Sequence, residues 1–277
     1  MNTSTSSAHF GRVAFVGAGP GQADLITVRG ARRLAQAAVV LTDALADPAL
    51  RELAPQARWL HVGKRGFSDS TAQEAIDALL IRCAREVGPA GLVVRLKGGD
   101  PSVFGRLEEE LHAMADAGIA CEVVPGVTAA LAAAASTQRP LTRRGSGRSV
   151  SFATAMTRVN ASGTGTAQPS AAAVAVQASR TADTEVFYMA GKQLAALSRS
   201  LTRASWVAET PVCVSSRAGW PDELHSDHTV ATLGRASMLH AGRPTVVVVG
   251  AGARPLIAMR SAAEEPVPAA GLASVTP

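Results

Sequence analysis

The chain has 277 residues, enough for two ordinary domains or one large one, and two is the better expectation. Apolar residues make up 47% of it and aromatic ones only 4%, so its cores are built from Ala, Val and Leu, which suits an α/β protein and argues against an all-β sandwich. Lys and Arg outnumber Asp and Glu by 27 to 22, but the arginines are scattered and there is a single Tyr, a pattern that favours a small acidic substrate over nucleic acid.

After a polar tail over residues 1–10, "RVAFVGAG" reads as a strand stopping at glycines and "LITVRGARRLAQAA" as a helix with apolar residues at helical spacing. "VVLTD" is a second strand, "ADPALRELAP" a short helix and "RWLHVGK" a third strand. "STAQEAIDALLIRCAREV" is a helix capped by Ser70 or Thr71. "GLVVRLKGGDP" repeats the strand that ends in glycines. "LEEELHAMADAG", "IACEVVPG" and "VTAALAAAAST" then read as helix, strand and alanine-rich helix. Such alternation predicts a mainly parallel sheet with helices on both faces, over residues 11–146.

A second, smaller α/β domain is expected over 147–256. Its strands are "VSFATAM", "TEVFYMAG", "TPVCVSS" and "PTVVVVGAG", with a helix at "KQLAALSRSLT" and a loop around Trp220 and Pro221. Residues 159–182 mix Ser, Gly, Thr and Ala with little period, as a mobile loop or a poorly marked helix would. Residues 257–277 read as a tail. Cys83, Cys121 and Cys213 show no metal spacing and are expected to be core thiols in a reducing compartment. There is no signal-peptide pattern and no run of about 18 apolar residues, so a cytosolic protein without a membrane partner is expected.

Several strand ends carry chemistry. In "VGAGPGQ" the glycines let a ligand approach the backbone, but the spacing departs from the dinucleotide fingerprint and Pro20 removes an N–H donor. The turn is either a ligand loop or a tight βα connection. Asp43 closes the second strand, and Lys64 and Arg65 follow the third; a carboxylate and a cation on one sheet edge can move protons or bind acidic groups. "RLKGGDPSVFGR" is the most specific stretch: bare backbone at Gly98 and Gly99, an acceptor at Asp100, a stiff turn at Pro101. "VVPGVTAA" repeats the design, with a hydroxyl at Thr128.

"VGAGPGQADLIT", "TDAL", "VGKRGFSDSTAQ", "VRLKGGDPSVFGR", "EVVPGVTAALAA", "PLTRR" and "VFYMAG" occur in the order found in the tetrapyrrole methylase family, which the chain resembles from Val13 to Gly250. The resemblance implies two α/β/α domains with an S-adenosylmethionine cleft between them, usually in a homodimer, and a small-molecule tetrapyrrole substrate. It implies C-methylation of uroporphyrinogen III at two pyrrole carbons to give precorrin-2, on the route to sirohaem or cobalamin. Two alternatives stand beside it: a later corrin acceptor, and a divergent paralogue that binds the cofactor with little activity. A dinucleotide oxidoreductase is disfavoured by the glycine spacing. No dehydrogenase or chelatase segment is expected ahead of Phe10, so a multifunctional sirohaem synthase is not the expectation.

Carried over by motif, the resemblance implies cofactor contacts from Pro20, Gly98, Gly99, Asp100, Val103, Thr128, Ala129 and Met189, with no metal. Asp43 and Lys64 would be the acid/base pair. Arg65, Arg106, Arg143 and Arg144 would hold substrate carboxylates in bidentate pairs. The chain departs from the family pattern at Thr42, where an aromatic is usual, at Asp69 for His, and at Leu107, where "GRGGEE" has become "GRLEEE". Further departures are "TAM" for "TGH" at Thr154 to Met156, and Ala218 for Gly. These bear on substrate choice and activity.

Overall fold

The computed structural model describes residues 10–62, 70–156, 176 and 178–256. In its first unit β1 (Arg12–Gly17), β2 (Val39–Thr42), β3 (Arg58–His61), β4 (Leu92–Lys97) and β5 (Cys121–Val124) form a parallel sheet in the order β3-β2-β4-β1-β5. β1, β2 and β4 are buried on both faces, which is why they read as unbroken apolar runs. Alternate residues feed two cores. Ala14, Val16, Val40 and Val94 pack with Leu34 of α1 (Val28–Ala35) on one face. Val13, Phe15, Leu41 and Val93 pack on the other, with Leu80 of α2 (Ser70–Glu86) and Met114 of α3 (Leu107–Asp116).

This division places the site. β1 and β4 are neighbours, but the chain leaves β1 for the face of α1 and leaves β4 for the face of α3. Their departing loops therefore diverge and open a crevice at the carboxyl ends of the strands, the usual ligand position in an open α/β sheet.

In the second unit β6 (Val150–Thr154), β7 (Thr184–Tyr188), β8 (Pro211–Ser216), β9 (Leu224–Thr229) and β10 (Thr245–Gly250) form a mixed sheet in the order β6-β7-β10-β8-β9, parallel only between β6 and β7. One face buries Leu194, Leu197 and Leu201 of α5 (Leu194–Arg203) against Phe187, Val214 and Val247. Against the other face, Val186, Tyr188, Cys213 and Val248 pack on Ala130 of α4 (Ala129–Ser136), the last helix of the first unit. The alanine run of α4 now has a reason: only short side chains let a helix lie between two units this closely.

Trp220 and Pro221 lie in a turn as expected, but the part of that loop-like stretch that follows them is a strand, β9. Its sequence, "LHSDHT", lacks an apolar face because it is an edge strand bonded to β8 alone among the described strands. Cys83 and Cys213 are buried as expected, whereas Cys121, on edge strand β5, is exposed. No helix among the described residues is long and apolar enough to cross a membrane. Residues 1–9, 157–175, 177 and 257–277, covering most of both expected tails and of the expected loop, lie outside the described residues.

The β8–β9 hairpin is pinned by fully buried His240, whose Nδ1 lies 2.9 Å from Ser216 Oγ and whose Nε2 lies 2.9 Å from Ser226 Oγ. Burial, and then the neighbouring His228 and Arg243, push its pKa down to about 4 from an ordinary 6.5. On acidification the unfolded chain takes up this proton first, so stability complete above about pH 6.5 is lost as pH falls toward 4, to a total of about 3 kcal/mol. Urea unfolding at about pH 7.5 and pH 4.5 is expected to show this decline, and His240→Gln to shrink it while lowering stability at the higher pH.

Candidate functional site

Three strand ends meet at the crevice, and they do so backbone to backbone. Gly19 and Gly99 pair across the loops after β1 and β4, with N–H to carbonyl distances of 2.9 and 3.3 Å. A Cβ on Gly17 would stand 2.6 Å from Gly126 Cα and 2.8 Å from the Gly99 carbonyl oxygen, so the corner after β5 closes on the same point only because both residues are glycine.

Two carboxylates fix these loops. Asp43, just past β2, accepts from the Gly98 N–H at 3.0 Å and the Leu45 N–H at 2.9 Å. Asp100 accepts from the Ser102 N–H at 2.7 Å and the Gly126 N–H at 2.8 Å. Asp43 thus ties the end of β2 to that of its neighbour β4, and Asp100 ties the end of β4 to that of β5 across the intervening β1. Asp43 and Asp100 are brought to one edge of the sheet together with Gly98 and Gly99; Lys64, expected to converge with Asp43, lies outside the described residues.

An aromatic shelf brings the two units together, Phe104 from the first and Tyr188 and Phe152 from the second. Tyr188 OH lies 2.8 Å from Thr128 Oγ1, and the Tyr188 ring stands between Phe104 at 5.0 Å and Phe152 at 5.6 Å, centroid to centroid. Phe104 and Phe152 keep 41% and 42% of their surface exposed, so the shelf is apolar and open. Val103, Ala129 and Met189 pack at its border, with Met189 held at a φ of 57°. Burial pushes the Tyr188 phenol up, against the Thr128 bond, so it is neutral at physiological pH. Pro20 is buried in the turn that meets the second unit.

The chain has matches over nearly all of this architecture. Residues 12–234 match the family model of the tetrapyrrole (corrin/porphyrin) methylases. The chain belongs to the tetrapyrrole methylase family. It is 36% identical to a uroporphyrinogen-III C-methyltransferase of Pseudomonas aeruginosa, covering 89% of this chain and 96% of that one. It is 40% identical to a sirohaem synthase of Sodalis glossinidius over 87% of this chain and 49% of that protein, so it spans about half the length of that relative. Among solved structures, a uroporphyrin-III C-methyltransferase of Thermus thermophilus complexed with S-adenosylhomocysteine superposes with a TM-score of 0.69, at 33% identity, covering 87% of this chain and 97% of that one. A cobalt-precorrin-4 methyltransferase superposes equally well, at 0.69, with 26% identity and coverage of 88% and 96%.

The remaining site residues of this tetrapyrrole methylase are distributed unevenly. Arg106 is exposed and paired with Glu109 through bonds of 2.6 and 2.8 Å. Arg143 donates to the Arg254 carbonyl, and Arg144 is exposed. Lys64, Arg65 and Asp69 lie outside the described residues. Of the departures from the family pattern, Thr42 is buried and Leu107 packs into the core beside α2 and α3. The Met156 N–H bonds Thr154 Oγ1 at 3.1 Å, and Ala218 is buried against Ala132, Ala133 and Leu25.

A buried charge cluster beneath the Gly98 loop escaped the motif reading. Glu110 of α3, fully buried, receives Arg95 Nε at 2.9 Å and the Lys97 ammonium on its other oxygen. Arg95 also donates to the Leu41 carbonyl at 3.4 Å, joining β4 to β2 just before Asp43. Burial, then Arg95, lowers the Lys97 pKa, while Glu110 and Asp43 favour its charged form. The signal was present in "VVRLK": two cations at alternate positions of an apolar strand need a buried partner. Glu110→Ala strands both cations, and urea denaturation is expected to record a loss of about 3–5 kcal/mol.

Proposed function

We propose that this chain transfers methyl groups from S-adenosylmethionine to two pyrrole carbons of uroporphyrinogen III, giving precorrin-2. The observation that carries the reading is the meeting of three glycine-cornered strand ends beside Asp43 and Asp100, together with an open aromatic shelf. The relative from Pseudomonas aeruginosa, matched over 96% of its length, supports the acceptor. The cobalt-precorrin-4 methyltransferase shares the fold to the same degree, but its 26% identity, against 36%, favours uroporphyrinogen III over a later corrin acceptor.

The residues present fit the cofactor. A Cβ on Gly99 would meet nothing nearer than the Val127 carbonyl at 3.9 Å, so the Gly99 backbone borders open space, whereas a Cβ on Gly98 would lie 2.5 Å from the Leu45 Cβ. In this reading Gly98, Gly99, Thr128, Ala129 and Pro20 offer backbone to the cofactor, Val103 and Met189 supply apolar contact, and Asp100 holds the corner in shape. When bound, S-adenosylmethionine supplies an electrophilic methyl on a sulfonium. The chain's part is to hold the acceptor carbon in line with that methyl, which accounts for much of the rate in such displacements.

Positive charge develops on the macrocycle as the new bond forms. Asp43, at the crevice edge, stabilises that charge and takes the proton lost from the carbon; Lys64 returns a proton or holds a propionate. Arg65, Arg106, Arg143 and Arg144 are the carboxylate contacts. For Arg106 this means exchanging Glu109 for substrate, a small cost for an exposed pair. The reading takes residues 11–146 and 147–256 as the two domains of a cytosolic homodimer that works in sirohaem or cobalamin synthesis.

An anaerobic assay with S-adenosylmethionine and enzymatically generated uroporphyrinogen III is expected to yield a product heavier by two methyl groups; unmodified substrate recovered from a cofactor-binding protein would overturn the acceptor. Asp43→Asn is expected to cut turnover by about 100-fold or more, a larger factor than its loss of S-adenosylhomocysteine affinity measured by calorimetry, since the amide oxygen keeps one of the two N–H contacts.

A further inference from the structure

The turn between β8 and β9, residues 217–223, is braced far more heavily than a hairpin connection requires. Glu223 accepts three bonds: from Ser215 Oγ of β8 at 2.8 Å, from the Gly219 N–H at 3.0 Å, and from Ser136 Oγ of α4 at 2.6 Å. The last crosses from the second unit to the first. From the other side, Asp222 binds Arg217 at 2.7 Å and Arg243 at 3.3 Å, and the Arg217 guanidinium stacks 4.6 Å above Trp220. Arg217 adopts a φ of 54°, a strained conformation for a residue with a side chain, and Gly219 one of 81°, which glycine takes freely.

What this bracing presents is the Gly219 backbone, aimed at the turn after β1. The Gln22 N–H donates to the Gly219 carbonyl at 2.9 Å. A Cβ on Gly21 would lie 2.1 Å from the Gly219 carbonyl group, and one on Gly219 would lie 2.3 Å from the Pro20 carbonyl oxygen. The two turns are in backbone contact, and Glu223 holds one of them.

We propose that Glu223 is a positioning residue for cofactor binding: by fixing Gly219 and anchoring it to α4, it sets the Pro20–Gly21 turn at the mouth of the cleft. The inference rests on the cofactor site proposed above and extends it to a residue that touches neither cofactor nor acceptor. Glu223→Ala leaves the Gly219 N–H and two hydroxyls without their acceptor, freeing the turn. Glu223→Gln can rebuild all three bonds, because its amide oxygen accepts from Gly219 while its NH2 donates to the two hydroxyls, which rotate to accept. Ser136→Ala removes only the link between the units.

The test is calorimetric binding of S-adenosylhomocysteine to the parent and the three variants, with the melting temperature of each. Glu223→Ala is expected to weaken binding about tenfold, Ser136→Ala about threefold, and Glu223→Gln to recover the parent affinity to within about twofold. Parent-like affinity in Glu223→Ala would overturn the inference. So would loss of affinity in Glu223→Gln equal to that in Glu223→Ala, since a role resting on the negative charge would behave that way; a role in stability alone would lower the melting temperature of Glu223→Ala and leave its affinity at the parent value. A parent chain that fails to bind S-adenosylhomocysteine would instead remove the cofactor reading, and the inference with it.

Discussion

The structure depends on a contact in which side chains take no part. Gly17, Gly19, Gly99 and Gly126, from the ends of three neighbouring parallel strands, pack backbone against backbone at the point where the connections of β1 and β4 diverge. A methyl group at Gly17 or Gly126 would overlap main-chain atoms. The crevice can therefore keep its shape only while these positions stay bare.

Such a corner needs external support, because loops without side chains have little packing of their own. Asp43 and Asp100 provide it by accepting N–H groups from the neighbouring loops, so the residues best placed for chemistry also hold the site together. Beneath them Glu110 joins Arg95 and Lys97 where water is excluded. Two basic side chains there share one carboxylate, and burial together with Arg95 lowers the Lys97 pKa. This arrangement costs desolvation energy that an apolar trio would not, and it joins β2, β4 and α3 at one point.

The two units are joined by different physics. α4 offers alanines to the second sheet, giving close approach with little directional preference, while Arg139, buried after α4, binds Asp227 of β9 and the Ala253 carbonyl. The Glu223 bonds and the Gly21–Gly219 contact then fix the register of the two loop edges across the cleft. Alanine packing sets the distance between units, and hydrogen bonds set their alignment.

By itself, the sequence determined the alternation of strand and helix in the first unit, the glycine corners and the candidate carboxylates. These are local: apolar runs report burial on both faces, and glycine beside proline reports a turn that side chains cannot make. Tertiary structure alone decided three other matters. β9 is a strand because β8 offers it an edge, not because "LHSDHT" has a pattern. Glu110 and Glu223 look like ordinary surface acids in "EEEL" and "PDEL", yet one lies in the core and the other spans two units, since their partners stand 13 to 15 and up to 87 residues away. Arg106 and Arg143, expected to hold substrate carboxylates, already have partners at Glu109 and the Arg254 carbonyl. Periodicity describes what a segment does with its own neighbours; long-range ion pairs are settled only when the fold brings distant charges together.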